Sequence, residues 1–446
     1  MTASLPFEDP IEEFDETEVK VPGRWTNVIL LSFAGLVDGV EGGILGILFT
    51  VMRPALGLAT SALGFIAALG KLVGAIFGPI WGMVGDRYDR KSILVFATGV
   101  WGIWTVALGM VQNYTQVLIL VAISAAGASA TTPVTNSVLS DLFTDKTRGW
   151  AKGVWAGITG ILGIIAIVMV GQLSEIENGW RIGYYVAGGL SIFSGVLIYF
   201  FYKDPVRGQT DEGMGNIAEQ AAEAHSFSFD KVSQLFRIPS LGLMLADKFL
   251  IGTVTLFTFL PTFLEDFRGI PVIDGTLVVG ALAGGLGLGR FVAGAVSGMI
   301  GSHRINARSV IYHVALTLSF IFLIISLAID FGTDIGPYAL VNFLLGFVLA
   351  FDNPIMHPMI ARITTPEMRS TAYGLWQSGS ERLGDVLFTF LVGVLTISMG
   401  LDVVLLYLVS GLVLIRIMIW FLIYRTYAAD VDQNDHVLAE RRAELS

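Results

Sequence analysis

Gly82-Met83-Val84-Gly85-Asp86-Arg87-Tyr88-Asp89-Arg90-Lys91 is a short, densely charged turn set directly between two long hydrophobic runs. A weaker copy lies 216 residues later, at Gly298-Met299-Ile300-Gly301-Ser302-His303-Arg304. Small residues on the approach let two membrane helices cross closely, while the arginines stay in the aqueous interface. The recurrence predicts a chain built from one membrane unit written twice.

Composition agrees with that reading. Of 446 residues, 54% are hydrophobic and only 14% are charged, and the mean hydropathy is +0.71. A soluble domain carries about a quarter charged residues. The charges cluster between apolar stretches of about 20 residues or more, the length a helix needs to cross the hydrocarbon core. Backbone groups in lipid must be satisfied within their own segment, so these runs are helices and not strands. The expected fold class is an all-α polytopic membrane protein. Twelve spans are expected, at roughly 26–51, 58–82, 91–111, 115–140, 151–172, 182–202, 240–264, 275–300, 308–330, 336–361, 372–398 and 403–425.

The basic residues orient the chain. Arg53, Arg181 and Arg268 fall in the odd-numbered loops, and Lys71, Lys248, Arg290, Arg382 and Arg416 fall within spans. The rest of the 27 Lys and Arg lie in the even-numbered loops and the tails. The excess of positive charge marks the cytoplasmic side, so both termini are expected there, in a cell membrane. Residues 1–24 carry Glu8, Asp9, Glu12, Glu13, Asp15, Glu16 and Glu18, an acidic tail and the opposite of a secretory leader. The chain has no cysteine, hence neither disulfides nor thiolate chemistry.

Residues 203–239 form the long polar stretch between six spans and six, a cytoplasmic linker with a short surface helix expected near 216–236. The domain reading is therefore a tail over 1–24, a six-helix bundle over 25–202, the linker over 203–239, a second six-helix bundle over 240–427 and a tail over 428–446. Internal echoes support the cut. Arg148, Ala151, Gly153 and Trp155 are repeated at an offset of 221 by Arg369, Ala372, Gly374 and Trp376, and Pro133 by Pro354. Leu36-Val37-Asp38 is echoed by Leu245-Ala246-Asp247, with Gly43 and Gly252 each five residues on.

The charged turn resembles the signature loop of the major facilitator superfamily, with Gly82, Asp86, Arg87, Arg90 and Lys91 in the signature positions and Asp89 where that family usually has glycine. Asp141-Leu142-Phe143…Arg148-Gly149 and Gly179-Trp180-Arg181 are similar to the same family, and the resemblance covers residues 25 to 427. It implies two pseudo-symmetric six-helix bundles with substrate held between them near mid-membrane, and alternating access by rocking of one bundle against the other. It implies too that the loop is a cytoplasmic gate, Asp86 at a helix end and Arg87 and Arg90 reaching carboxylates or helix C-termini opposite. The plainer reading is that Arg87, Arg90 and Lys91 anchor the interface.

An ionisable residue inside a span is costly and marks a candidate functional site. Six carboxylates (Asp38, Glu41, Asp247, Asp352, Glu381, Asp385) face five cations (Lys71, Lys248, Arg290, Arg382, Arg416), a near-balance that predicts pairing across helices. Asp38 and Glu41, three apart on one helix face, repel each other, which favours one of them holding a proton. They are the candidate proton-coupling site. Lys71 and Arg290 favour an anionic substrate or neutralise the span-one acids, Arg382 is expected to be clamped by Asp385, and Arg416 to snorkel outward. The candidate substrate cavity thus comprises Lys71, Asn136, Asp247, Lys248, Arg290, Asn353, His357, Glu381, Arg382 and Asp385. Glycines at 153, 157, 160 and 163 and between 280 and 298 are expected to be packing surfaces first.

Gly285-Leu286-Gly287-Leu288-Gly289 has the letters of a nucleotide fingerprint but lies inside a span, without the strand that motif needs. No metal cluster, catalytic triad or phosphate loop is visible, so no cofactor, no metal and no enzymatic activity are expected. Residues 153–172 lack the proline of the drug/proton antiporters. The junction strings are most similar to the organic-anion and Spinster-like lipid branches. The expected function is proton-coupled transport of a small organic anion by a monomer, with protons, substrate and the lipid bilayer as partners and no nucleic acid. A lipid or lysolipid exporter of the same fold and a non-transporting membrane sensor or scaffold are the rivals.

Overall fold

The computed structural model describes residues 21, 23–143, 145–206, 233–251, 255–301 and 305–445. Among them, eleven helices are long and apolar enough to cross a membrane. In order they are Arg24–Ala55, Ala62–Gly85, Arg90–Leu108, Tyr114–Leu142, Ala151–Glu175, Gly179–Phe201, Val272–Met299, Ala307–Ala328, Ile335–Ile363, Thr371–Met399 and Leu401–Glu440. The protein is an all-α polytopic membrane protein. The place expected for the seventh span is held by two shorter helices, Pro239–Phe249 and Thr255–Arg268, with residues 252–254 outside the described set. Continuous hydropathy over 240–264 concealed this break.

The internal repeat has a structural counterpart. Spans four and ten each come in two pieces, Tyr114–Ala128 with Thr131–Leu142 and Ile335–Leu349 with Asp352–Ile363. Pro133 and Pro354 stand just after the breaks and have no N–H to give the carbonyl four residues back, so the ladder interrupts at the same place. At the break Ala130 N–H donates to Gly127 O, and Phe351 N–H to Val348 O, pairs related by the sequence offset of 221.

Hydrogen bonds fix which helix ends share a side. Asn27 Nδ2 donates to Lys203 O at 2.7 Å, joining the start of span one to the end of span six. Asp430 accepts from Ser240 N at 2.8 Å, joining the last helix to the start of span seven. The last helix runs on through the boundary expected at 427 to Leu445 and stays packed there, with Asn434 Nδ2 donating to Arg362 O at 3.0 Å. We call this the terminal side and the opposite one the far side. The three odd-loop arginines of the far side are all occupied. Arg181 donates to the carbonyls of Gly109 and Val111 at the end of span three, and Arg268 to Leu327 O at the end of span nine. Cations there satisfy orphan carbonyls and the negative end of the helix dipole.

Spans one to six touch spans seven to twelve along three seams: one against the second piece of seven, two against eleven, and five against eight. Close approach depends on glycine. A Cβ on Gly64 would lie 2.4 Å from Gly393 Cα, one on Gly46 2.9 Å from Thr258 O, and one on Gly171 2.5 Å from Thr276. All three lie toward the far side, where Arg53 also binds Asp266 through two hydrogen bonds of 2.6 and 2.8 Å. Toward the terminal side the five–eight seam parts. Gly153, Gly157, Gly160 and Gly163 of span five and Gly284, Gly287, Gly294 and Gly298 of span eight have nothing within 4 Å of where a Cβ would be. The packing expectation is corrected for these eight, whereas it holds for Gly280, which faces Ile164 and Val168 of span five, and for Gly285 and Gly289, which lie tight against Phe343 and Phe347 of span ten.

Candidate functional site

Between the two halves lies a cavity of about 540 Å³. Span one contributes Asp38 and Glu41, span two Lys71, span four Ser124 and Thr132, and span eleven Gln377, Glu381, Arg382 and Asp385. Gln377 and Glu381 sit on a π-helical stretch, Gly374–Glu381. Such a stretch shifts the register of the side chains after it and is frequent at functional sites. A second cavity of about 270 Å³ lies within the later half, and its lining includes Lys248, Arg290, Asn353 and Arg416. Glu381 lines both.

Most intramembrane charges are paired, though often not with the partners the sequence implied. Lys71 Nζ lies 2.7 Å from Asp385 Oδ1 and donates to Thr389 Oγ1 at 2.9 Å, tying span two to span eleven across the halves. It therefore does not neutralise Asp38 or Glu41, and Asp385 clamps Lys71 and not Arg382. Asp247 and Lys248 are sequence neighbours, and the roughly 100° turn between adjacent helical positions sends them to different partners. Asp247 accepts from Arg416 Nε and Nη2 at 3.0 and 3.1 Å and from Trp420 Nε1 at 3.0 Å. Lys248 binds Asp352, lies 3.2 Å from Glu381 Oε2, and stands 4.4 Å over the Trp376 ring. Tyr312 closes the circuit, taking a hydrogen bond from Arg416 at 2.6 Å and giving one to Asp352 at 3.2 Å.

This network overturns the snorkelling reading of Arg416. The side chain is 1% exposed and sits at the centre of the later half. Its carboxylate partner is 169 residues away in sequence, which is why periodicity could not name it. Tyr312, Trp376 and Trp420, which hold the network in place, were not singled out either. The Trp376 string was visible only as a repeat.

Four intramembrane charges remain without an ion-pair partner among the described residues: Asp38, Glu41, Arg290 and Arg382. All four line a cavity, three in the larger and Arg290 in the smaller. Glu41 Oε1 is buried and makes no hydrogen bond. Thr131, a residue 2% exposed in the same region of span four, places its hydroxyl beside the Asp38 carboxylate.

Three expected cavity residues line neither space. Asp247 is consumed in the Arg416 pair. Asn136 is exposed on the same helix face as Thr132 but one turn nearer the terminal side, and only Thr132 reaches the wall. His357 is half-buried with its ring 4.7 Å from Tyr373 and 5.2 Å from Trp376, a packed aromatic contact. Lys248, Arg290 and Asn353 belong to the smaller cavity, and Lys71, Arg382 and Asp385 to the larger.

At the charged turn, Arg90 is 1% exposed and lies 2.6 Å from Asp141 and 3.6 Å from Asp204. Asp141 is at the end of span four and Asp204 is three residues past the end of span six, so neither lies on the second half. The arginine expected to reach across therefore fastens spans three, four and six of one bundle. Gly82 and Gly85 bring span two against Pro133 and Val134 of span four. Lys91 lies 5.7 Å over the Tyr199 ring, and Arg87 is exposed. The side chain of Asp86 and residues Ser302, His303 and Arg304 of the weaker copy lie outside the described residues. Asp89 caps the following helix, accepting from Ser92 N at 2.8 Å and Ser92 Oγ at 2.6 Å. Its backbone φ is −61°, so the turn places no demand for glycine at this position.

A family profile described as Major Facilitator Superfamily matches residues 31–333. Protein spinster of Drosophila melanogaster is 23% identical over 385 residues, 84% of this chain and 62% of the relative, so the chain spans less than two thirds of that protein's length. The cis,cis-muconate transport protein of Acinetobacter baylyi is 24% identical over 284 residues, 62% of this chain and 67% of the relative. An MFS-type efflux pump of Mycolicibacterium smegmatis is 24% identical over 425 residues, 91% and 94% of the two chains. Among solved structures, a bacterial homolog to the human lysosomal transporter Spinster, inward-facing and unoccupied, superposes with a TM-score of 0.81 at 17% identity, covering 92% of this chain and 98% of that one.

Proposed function

Because the chain belongs to the major facilitator superfamily, whose members are transporters and not enzymes, we propose that it moves a small organic anion across a cell membrane by alternating access, coupled to protons bound at Asp38 and Glu41. The observation that carries this reading is the set of unpaired charges in the cavity between the halves: two carboxylates on the span-one wall and one guanidinium, Arg382, on the span-eleven wall. With both acids ionised, the unpaired charge of the cavity is negative and an incoming anion is repelled. Protonation removes that repulsion and leaves Arg382 as the attractive centre, so anion and proton bind together. The other wall charges have ion-pair partners: Lys71 has Asp385, and Glu381 has Lys248, which it shares with Asp352. The far-side seams and the five–eight seam parted on the terminal side support an orientation in which this cavity faces the side of the termini, the cytoplasmic side by the distribution of basic residues.

Transport in proteoliposomes tests the coupling. Asp38→Asn is expected to retain anion binding and to lose the response to an imposed pH gradient. Unchanged gradient-driven uptake would end the proposal. Melting shifts of purified protein with carboxylates, sugars, amines and lysolipids, at acid and neutral pH, test the substrate class, and selective stabilisation by amines would refute the anion.

A second reading, export of an amphiphile, has one observation in its favour. Gly153, Gly157, Gly160 and Gly163 of span five and Gly284, Gly287, Gly294 and Gly298 of span eight border open space, which is compatible with the lateral path such a substrate needs. Selective stabilisation by lysolipids in the same screen would favour it.

A further inference from the structure

The smaller cavity has no part in the coupling scheme above, yet it holds a cation, Arg290, without an ion-pair partner among the described residues. Arg290 lies nine residues before the end of its span at Met299, about 13 Å along the helix axis. That is near mid-membrane, where an isolated cation is expensive and faces water or a counter-charge. The other cations of this cavity are accounted for: Lys248 by Asp352 and Glu381, Arg416 by Asp247. Beside them stands Asn353, whose Oδ1 is buried and receives no hydrogen bond. An unmet acceptor at a buried site costs about 1–3 kcal/mol unless a donor arrives. The remaining wall is largely apolar, with Ile251, Phe257, Leu286 and Val348.

We infer that this cavity is a second ligand site, for a small carboxylate that also carries a hydroxyl. The carboxylate takes the guanidinium of Arg290 and the hydroxyl donates to Asn353 Oδ1. Each group supplies what the cavity lacks, an anion for the free cation and a donor for the free acceptor. The site is distinct from the space between the halves but adjoins it, because Glu381 forms wall to both. An anion settling beside Lys248 competes with Glu381 for that ammonium and loosens the partition between the two spaces. The assignment does not depend on which solute occupies the larger cavity, nor on the role of Asp38.

The chain's lack of cysteine allows a direct test. Leu286→Cys reports on the smaller cavity and Thr132→Cys on the larger, each converted to a mixed disulfide by a small methanethiosulfonate, with release of methanesulfinate, in reconstituted protein. Malate is the probe, and succinate is its match without the hydroxyl. Malate at ten times its half-saturating concentration is expected to slow labelling of Leu286→Cys about tenfold, with succinate clearly weaker. Adding Arg290→Gln is expected to raise the malate concentration needed by about tenfold or more, while the ligand-free labelling rate of Thr132→Cys stays unchanged. That control separates loss of the second site from loss of fold or of the larger site. If malate never slows labelling of Leu286→Cys, or if Arg290→Gln leaves its protection intact, the second site is refuted. Equal protection by succinate would overturn the assignment of the hydroxyl to Asn353.

Discussion

Removing the ammonium of Lys71 should shift the protein toward its opposite conformation, because this group ties the two halves together beside the cavity. In Lys71→Met the carboxylate of Asp385 loses a contact of 2.7 Å and the hydroxyl of Thr389 one of 2.9 Å. A hydrogen bond to a charged group is worth about 1.5–3 kcal/mol net. The Lys71 and Asp385 side chains are 25% and 18% exposed, so solvent screening puts this pair near the lower end, at about 1.5 kcal/mol. If the contact exists in this conformation only, losing it moves the balance between the two states by roughly tenfold. The assay is the alkylation rate of Thr132→Cys in otherwise cysteine-free protein, with reagent applied on the terminal side. The rate should fall as the state open to that side is depleted, and Lys71→Met/Asp385→Asn should recover part of it by removing the stranded charge. An unchanged rate in Lys71→Met, with folding intact, would refute the idea that the pair holds the halves in this arrangement.

Two further outcomes follow from individual contacts. Arg416→Met strands Asp247 at 0% exposure with only the Trp420 donor left, and should cost about 3–5 kcal/mol. Melting in detergent should show it, with the double variant Arg416→Met/Asp247→Leu markedly less affected. Asp89→Ala removes a helix cap worth about 1 kcal/mol. The Ser92 hydroxyl, with backbone N–H groups and Lys91, holds the Asp89 carboxyl below its ordinary range. The cap's extra stability is therefore present above a pH of about 4, fades as pH falls through the lowered value, and wild type and variant should converge in acid melts.

The architecture was largely legible because lipid imposes it. Each apolar run of about 20 residues must be a helix, and eleven of the twelve expected spans are helical stretches long enough to cross a membrane. Pro133 and Pro354 marked the repeat and also the breaks in spans four and ten. The site was less legible, because pairing is a matter of three dimensions. Charge counting foresaw that most of these charges pair, as seven of the eleven do, and the helix-face argument kept Asp38 and Glu41 apart from them. Nothing in the order of residues says that Lys71 meets Asp385, 314 positions later, or that Arg416 turns inward to Asp247. Arg90 shows the opposite error. Its need for a carboxylate was readable, but the partners are Asp141 of its own half and Asp204 just past the end of span six.

The bare glycine faces of spans five and eight carry a warning for protein engineering. In this conformation alanine at Gly157 or Gly294 meets nothing and should raise helix stability by roughly 0.5–1 kcal/mol. A selection for heat resistance would therefore collect such changes. If the two faces must later lie together, each added methyl obstructs that step, and the selected protein becomes tougher and slower at once. Thermal resistance and turnover would then have to be scored in parallel at these positions, since either one alone ranks the variants in the wrong order.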